Sequence, residues 1–429
     1  MKILFLGINF APELTGVGKY SGEMIEWLSS RGHEVQVATA PPYYPEWRIG
    51  AGYRGWRYKK ECMWRNAEGS EGHDPEGAVT VYRCPVWVPA KPNTTKRLVH
   101  LASFVVSSLP LVLWLARWRP DLVFAVAPTI MTAPWAILAA RWSGAAVWLH
   151  IQDFEIDIAF DMAMLRKSLT RRSVAAVERS IYRAFDRVST ISDRMLERLV
   201  EKGVEPERTF HFSNWVDTDT IRPLNSPSGY RSELGVSERT VVAMYSGNLG
   251  EKQGLEVLIE AAAQTGGEED LVWVISGTGG AEKRLRRLAS GQTNVRWLPL
   301  QPAKRLNDFL NMADIHLLPQ RPEAADLVLP SKLAGMLASG KAVVATAQAQ
   351  TQLGRIVGEC GVIVPPGDAN ALAGAVVSLA RDPRKRKELG IKARRFAVTH
   401  LDKKEILGQF EREAIALVEE NTATRQGCK

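Results

Sequence analysis

Residues 241–263 read VVAMYSGNLGEKQGLEVLIEAAA. Residues 241–245 are a continuous apolar run of strand length, Ser246, Gly247, Asn248, Leu249 and Gly250 break it, and Leu255, Leu258, Ile259 and Ala262 then recur at helical spacing. The stretch predicts a strand, a glycine turn and a helix. Glycines at 247, 250 and 254 leave backbone N–H groups uncovered where a helix dipole begins, which suits a phosphate, with Lys252 beside it. The same glycines would equally serve an ordinary strand-to-helix connection. The spacing is neither the GxGxxG fingerprint nor the GxxxxGK pattern of P-loops, so the standard dinucleotide and P-loop readings do not apply.

Outward from this stretch, strand and helix patterns alternate in both halves of the chain, the signature of parallel sheets covered on both faces. The chain has 429 residues, too many for one core, so two domains are expected. Cys62, Cys84, Cys360 and Cys428 are scattered without a CxxC pair, which argues against a zinc site or a disulfide framework and for a reducing cytoplasm. The start, MKILFLGINFAPELTG, reads as a first strand and not as a signal peptide. A formal charge of +8 favours an anionic partner. No nucleic-acid motif accompanies it, which ranks membrane and nucleotide sugar above DNA or RNA.

In the first half, the strand at residues 2–7 runs into a loop carrying Gly16 and Gly18, which let backbone approach a ligand, and then into a helix with Tyr20, Met24, Trp27 and Leu28 on one face. Residues 41–91 read as a long aromatic insertion followed by a strand at 79–83. Its aromatic residues interleaved with Arg fit sugar or headgroup stacking, and fit equally a cluster covering the sheet edge. Residues 98–116, LVHLASFVVSSLPLVLWLA, reach the length of a membrane span. The strand that follows at 122–127 must join the same soluble sheet, so a core helix or one lying in the interface is expected. Residues 165–185 form a basic amphipathic helix suited to a membrane surface or to plain solvation. The strand at 145–151 delivers His150, Gln152 and Asp153, followed by Glu155, Asp157 and Asp161, more carboxylates than a solvated loop needs.

With these residues in view, YSGNLGEKQG followed by a helix resembles the diphosphate-binding turn of the GT-B glycosyltransferases of family 4. Residues 212–217, FSNWVD, resemble that family's PNxVD segment with Ser in place of Pro, and residues 324–341 resemble its bacterial exopolysaccharide branch, close to the colanic acid fucosyltransferases. The resemblance covers almost the whole chain. It implies an α/β GT-B fold of two facing Rossmann-like, doubly wound domains with a cleft between them. The expected division is an acceptor-binding domain at 1–210, a hinge at 211–238, a nucleotide-sugar domain at 239–385, and C-terminal helices at 386–429 that partly return to the first domain, with 396–417 the candidate last helix.

The resemblance also implies roles. Gly16 and Gly18 lie against the donor's phosphates and the acceptor, and the backbone around Leu298 meets the base. Many relatives carry Arg and Lys where Asn248 and Gln253 stand, so Gly247, Gly250, Lys252 and Lys332 must hold the diphosphate, with Ser331 and Lys332 leading a helix toward it. Leu327 and Gly335 occupy the places of two family glutamates, and Glu323 or Asp326 is the candidate replacement on the sugar side. His150 or Gln152 takes the place of a family His at the donor sugar, and Asp153 contacts a sugar or acceptor hydroxyl. The implied reaction is sugar transfer with retention, without metal or cofactor beyond the nucleotide sugar. GDP-fucose is the expected donor and a polyprenyl-diphosphate-linked glycan the expected acceptor, at the cytoplasmic face of the inner membrane. The alternative is a non-catalytic sugar- or lipid-binding partner in polysaccharide assembly.

Overall fold

The computed structural model of the chain describes residues 1–14, 16–64, 79–127, 130–154, 168–250, 253–321 and 330–427. It divides into two compact units, residues 1–213 with 407–429, and residues 214–406.

The first unit holds an eight-stranded sheet. Its strands are β1 (Lys2–Leu6), β2 (Glu34–Thr39), β3 (Lys59–Met63), β4 (Val79–Arg83), β5 (Leu122–Ala127), β6 (Ala146–Ile151), β7 (Arg187–Thr190) and β8 (Thr209–His211), in the order β3-β4-β2-β1-β5-β6-β7-β8. All neighbours are parallel except β3 and β4, which run antiparallel with Glu61 opposite Val81. The insertion expected at 41–91 contains, beyond the strand expected at 79–83, a further strand, β3. Its KKECM carries little apolar signal because it sits at the sheet's edge, where only one neighbour and one partly covered face constrain it. The central strands are apolar throughout, as β5 (LVFAVA) shows, because helices cover both faces.

The apolar segment at 98–116 forms the helix Thr94–Leu115, capped by the Asn93 side chain on Lys96 N–H. His100, Phe104, Ser108, Val112 and Leu115 are its buried stripe, at helical spacing. The helix is fastened to its own unit: the Trp135 indole donates to Val105 O (3.0 Å), the Tyr58 hydroxyl to Ser107 O (2.6 Å), and the Ser107 hydroxyl to Pro85 O (2.6 Å).

The second unit holds six parallel strands, β9 (Val241–Ser246), β10 (Leu271–Ser276), β11 (Val295–Leu298), β12 (Ile315–Pro319), β13 (Ala342–Thr346) and β14 (Val362–Val364), ordered β11-β10-β9-β12-β13-β14. The expected linker at 211–238 is not a free connection from Asn214 onward. Its Pro and Ser residues punctuate a strap whose carbonyls are held by side chains of its own unit: Arg394 donates to Ile221 O (2.8 Å) and Thr218 O (2.8 Å), and Asn311 to Arg222 O (2.9 Å). The single last helix expected at 396–417 is two helices, Pro383–His400 and Lys403–Gly427. They break at Leu401 and Asp402, where Leu401 O accepts from Val216 N–H and the Asp402 carboxylate accepts from Lys404 N–H. The later helix joins the first unit, with Glu411 on His33 (3.0 Å) and Phe410 stacked on Phe212.

Candidate active site

Each sheet changes its winding direction at its first strand: β1 lies between β2 and β5, and β9 between β10 and β12. The connections leaving such neighbouring strands part company, which opens a crevice at their carboxyl ends. The glycine turn that begins at Gly247 leaves β9 at this point.

Its geometry follows from packing against the next loop. Gly247 has a φ of 146°, and Gly277, after β10, approaches so closely that a Cβ there would stand 1.8 Å from Gly247 O. Gly247 N–H donates to Ser276 O (3.0 Å), Leu249 N–H to Thr278 O (2.9 Å), and Gly277 N–H to Leu298 O (3.2 Å), so the ends of β9, β10 and β11 are tied together. Asn248 is exposed, and Gln253 N–H donates to Gly250 O (3.1 Å).

Tyr245, buried at the end of β9, donates its hydroxyl to Asn248 O (2.9 Å) and accepts from Lys332 Nζ (2.9 Å). The ammonium lies 4.0 Å from the centre of the Tyr245 ring, and a Cβ on Gly247 would be 3.1 Å from Nζ. Part of the Lys332 chain reaches solvent, but burial of its charged end pushes it down to about 7. A lysine poised near neutrality against a bare backbone turn is suited to an anion, which would favour its charged form. Ser331 is exposed and its hydroxyl caps nothing, so the helix Lys332–Ala338 is entered without a side-chain cap. Lys252, Glu323 and Asp326 lie outside the described residues, as do Glu155, Asp157 and Asp161.

In the first unit, Gly16 opens the helix Gly16–Ser30 with a φ of 59°, and a Cβ there would meet only Tyr44 Cε1 at 3.8 Å. Gly18 is different, since a Cβ would fall 2.5 Å from Glu13 Oε2. The space it leaves belongs to a carboxylate of its own loop. Glu13 Oε1 accepts from the N–H groups of Tyr43 and Tyr44 (both 3.0 Å), and Oε2 from Asn9 Nδ2 (3.0 Å). Burial raises its pKa in spite of those donors. Glu13 thereby fixes the loop after β1 to the loop after β2, and Arg83 backs it by donating to Ala11 O (2.6 Å) and Ala40 O (3.1 Å).

His150 is buried on β6, with Nδ1 2.9 Å from Ser189 Oγ and Nε2 2.9 Å from Gln152 Nε2. An amide nitrogen can only donate, so this network makes His150 Nε2 the acceptor and Nδ1 the protonated nitrogen. Burial pushes His150 down to about 3, in keeping with a neutral ring. Both ring nitrogens are spent within the unit, on Ser189 and Gln152. Asp153 is half-buried, has no hydrogen bond among the described residues, and is pushed up to about 6 by burial. A carboxylate so placed retains full acceptor capacity for a hydroxyl. Among the described residues no group of three or more His, Cys, Asp or Glu side chains is arranged to hold a metal.

The sequence reading missed Tyr245 and Glu13. Tyr245 ends an apolar run and reads as core, and its position immediately before a glycine turn was the available signal. Glu13 lies among Pro12 and Leu14 without periodicity, and only the loops it joins reveal it.

Comparison with known proteins gives the family and the fold. Residues 15–215 match the glycosyl transferase 4-like domain, and residues 240–382 match the glycosyl transferases group 1. The chain is 42% identical over 420 residues to the "Putative colanic acid biosynthesis glycosyl transferase WcaI" of Escherichia coli (strain K12), covering 96% of this chain and 98% of that protein. Among solved structures, sucrose-phosphate synthase from Thermosynechococcus elongatus is similar with a TM-score of 0.71 at 18% identity, covering 97% of this chain and 99% of that one. HepE of Anabaena in complex with UDP and glucose gives 0.67 at 17% identity, covering 97% and 100%. At these identities the likeness to the solved structures is one of GT-B fold.

Proposed function

This chain belongs to the GT-B glycosyltransferases built of a glycosyl transferase 4-like domain and a group 1 domain, and from that premise we propose that it transfers a sugar, with retention, from a nucleotide diphosphate bound by the second unit to an acceptor bound by the first. The observation that carries the donor assignment is the cluster of Lys332, Tyr245 and the Gly247 turn at the switch point between β9 and β12. As the glycosidic bond breaks, negative charge grows on the departing diphosphate. A lysine already fixed beside it stabilises that charge without reorganisation. Asp153 and Gln152 are the first unit's candidates for hydroxyls of sugar or acceptor, with His150 holding Gln152 in place. No metal or further cofactor enters this scheme.

The finer assignments rest on the resemblance to the colanic acid fucosyltransferases, beside the 42% identity to a protein named for colanic acid biosynthesis. They are GDP-fucose as donor, an exopolysaccharide intermediate on polyprenyl diphosphate as acceptor, and a peripheral position on the cytoplasmic face of the membrane. Support for the membrane comes from the helix Thr94–Leu115, whose outer side leaves Leu98, Val99, Val106 and Trp114 exposed. Release of free nucleoside diphosphate from a panel of GDP-, UDP- and dTDP-sugars, with a lipid-linked acceptor present, tests the whole reading. Turnover of a UDP-sugar alone removes the fucosyl assignment. A second reading, a non-catalytic binding partner, is favoured by one feature, Leu327 and Gly335 in place of the family's glutamates. Donor binding without release of diphosphate in any combination would establish it.

A further inference from the structure

The second unit must hold a diphosphate whose two phosphates are both ionised, yet the described part of the turn carries Asn248 and Gln253 and no cation of its own; Lys252 lies outside the described residues, and Lys332 supplies one charge. We propose that Arg321, on the segment leaving β12, is the second cation of the diphosphate site, so that the turn is braced by Lys332 at one end and Arg321 at the other. The proposal rests on the reading of this unit as the donor domain.

Three observations carry it. First, β12 is the neighbour of β9 across the switch point, with Ile315 opposite Ala243 and His316 opposite Met244, so the residues after β12 emerge beside the glycine turn. The launching backbone is fixed, since Gln320 N–H donates to Thr346 Oγ1 (2.9 Å) and that hydroxyl donates back to Gln320 O (3.0 Å). Second, Gly254 has a φ of 65°, and a Cβ there would lie 2.7 Å from Arg321 Cγ and 3.3 Å from Nε. The arginine stem therefore lies across the far end of the turn, as the Lys332 ammonium lies against Gly247 at the near end. Third, the guanidinium is only lightly engaged. Its ion pair among the described residues is with Glu256 at 3.7 Å, a carboxylate that also holds Arg284, and 44% of the Arg321 side chain remains exposed. A planar fork with donors to spare, on a fixed stem beside bare backbone, matches the geometry of a phosphate partner. If Arg321 merely neutralised Glu256, the pair would be an ordinary surface ion pair of little consequence.

The test is calorimetric binding of UDP, GDP and dTDP, each beside its monophosphate, to the full chain and to Arg321→Gln and Arg321→Lys, with thermal melting of all three proteins. For whichever diphosphate the wild type binds, Arg321→Gln should weaken binding about tenfold, equivalent to about 1.4 kcal/mol. The monophosphate should weaken by clearly less, Arg321→Lys should recover part of the loss, and the melting temperature should stay unchanged. Undiminished diphosphate binding by Arg321→Gln overturns the inference, as does an equal loss of mono- and diphosphate accompanied by a lowered melting temperature. A wild type that binds none of the diphosphates overturns the donor-domain reading and this inference with it.

Discussion

Lys332 and Asp153 are displaced in protonation by the same cause, burial of the charged form, with different consequences. Lys332 falls from its ordinary 10.5 to about 7. Between those values the unfolded chain binds more protons than the folded one, so this lysine adds stability to the unliganded protein as pH rises from 7 toward 10. An anionic ligand reverses the sign, because it needs the ammonium. Diphosphate affinity should fall by up to about tenfold per pH unit above pH 7, and binding at pH 8 should take up a proton. Calorimetry in buffers of different ionisation enthalpy measures that uptake, and Lys332→Met should abolish it. Asp153 rises from 3.8 to about 6. Its neutral form is the one the fold prefers, so its contribution to stability is present below pH 3.8 and lost as pH rises through 6. Asp153→Asn should therefore be more stable than wild type at pH 8, by on the order of 1–2 kcal/mol given its partial exposure, and nearly equal to it at about pH 3.5, below the unfolded value. Melting temperatures at the two pH values check this. A variant that gains stability while losing turnover marks Asp153 as functional, whereas lower stability at pH 8 would show that the carboxylate is satisfied by its surroundings.

The turn after β9 depends on contact between two connections. A methyl on Gly277 would enter the Gly247 carbonyl, and neither backbone can yield without breaking the bonds to Ser276 and Leu298. Gly277→Ala should cost about 2–4 kcal/mol of stability in the second unit and abolish diphosphate binding, whereas Gly280→Ala, where a Cβ meets nothing, should do neither. Denaturant melts and a nucleotide titration of the two variants decide it. The pattern 241–263 carried the strand, turn and helix legibly, because burial on both faces writes a strand as an unbroken apolar run and a helix as a stripe. The same logic hid β3, whose edge position leaves no such run, and the strap of residues 214–228, whose turn residues read as linker although Arg394 and Asn311 hold its carbonyls. The sites were less legible than the elements. Lys332 could be found from its place before a helix, but Tyr245, Arg321 and Glu13 gain their meaning only from partners distant in sequence, such as the 87 positions between Lys332 and Tyr245.

For the whole molecule, the proposal of a membrane-carried acceptor raises the question of how a protein of formal charge +8 would meet it. Within Thr95–Trp118 an 18-residue window has a mean hydropathy of 2.0, enough for a span by length and composition, yet only 28% of that window is buried. A helix serving only the core would bury most of such a window, and a spanning helix would not have Val105 O, Ser107 O and the Ser107 hydroxyl bonded to Trp135, Tyr58 and Pro85 of its own unit. The proposed position in the interface is consistent with both facts: the inner stripe is buried in the unit, and the outer side, with Val106 73% exposed, would enter the headgroup region. Exposed cations flank it, Lys96 and Arg97 at one end and Arg117 and Arg119 at the other. Each such charge near an anionic surface contributes about 1 kcal/mol, and salt screens it. The protein should therefore sediment with vesicles containing phosphatidylglycerol and be partly released at high salt. Val106→Asp should reduce that binding several-fold while leaving the melting temperature unchanged, since the side chain touches solvent and not core. Retention on membranes through both high-salt and alkaline washes would mean that the segment spans the bilayer, and undiminished vesicle binding by Val106→Asp would place the attachment elsewhere on the protein.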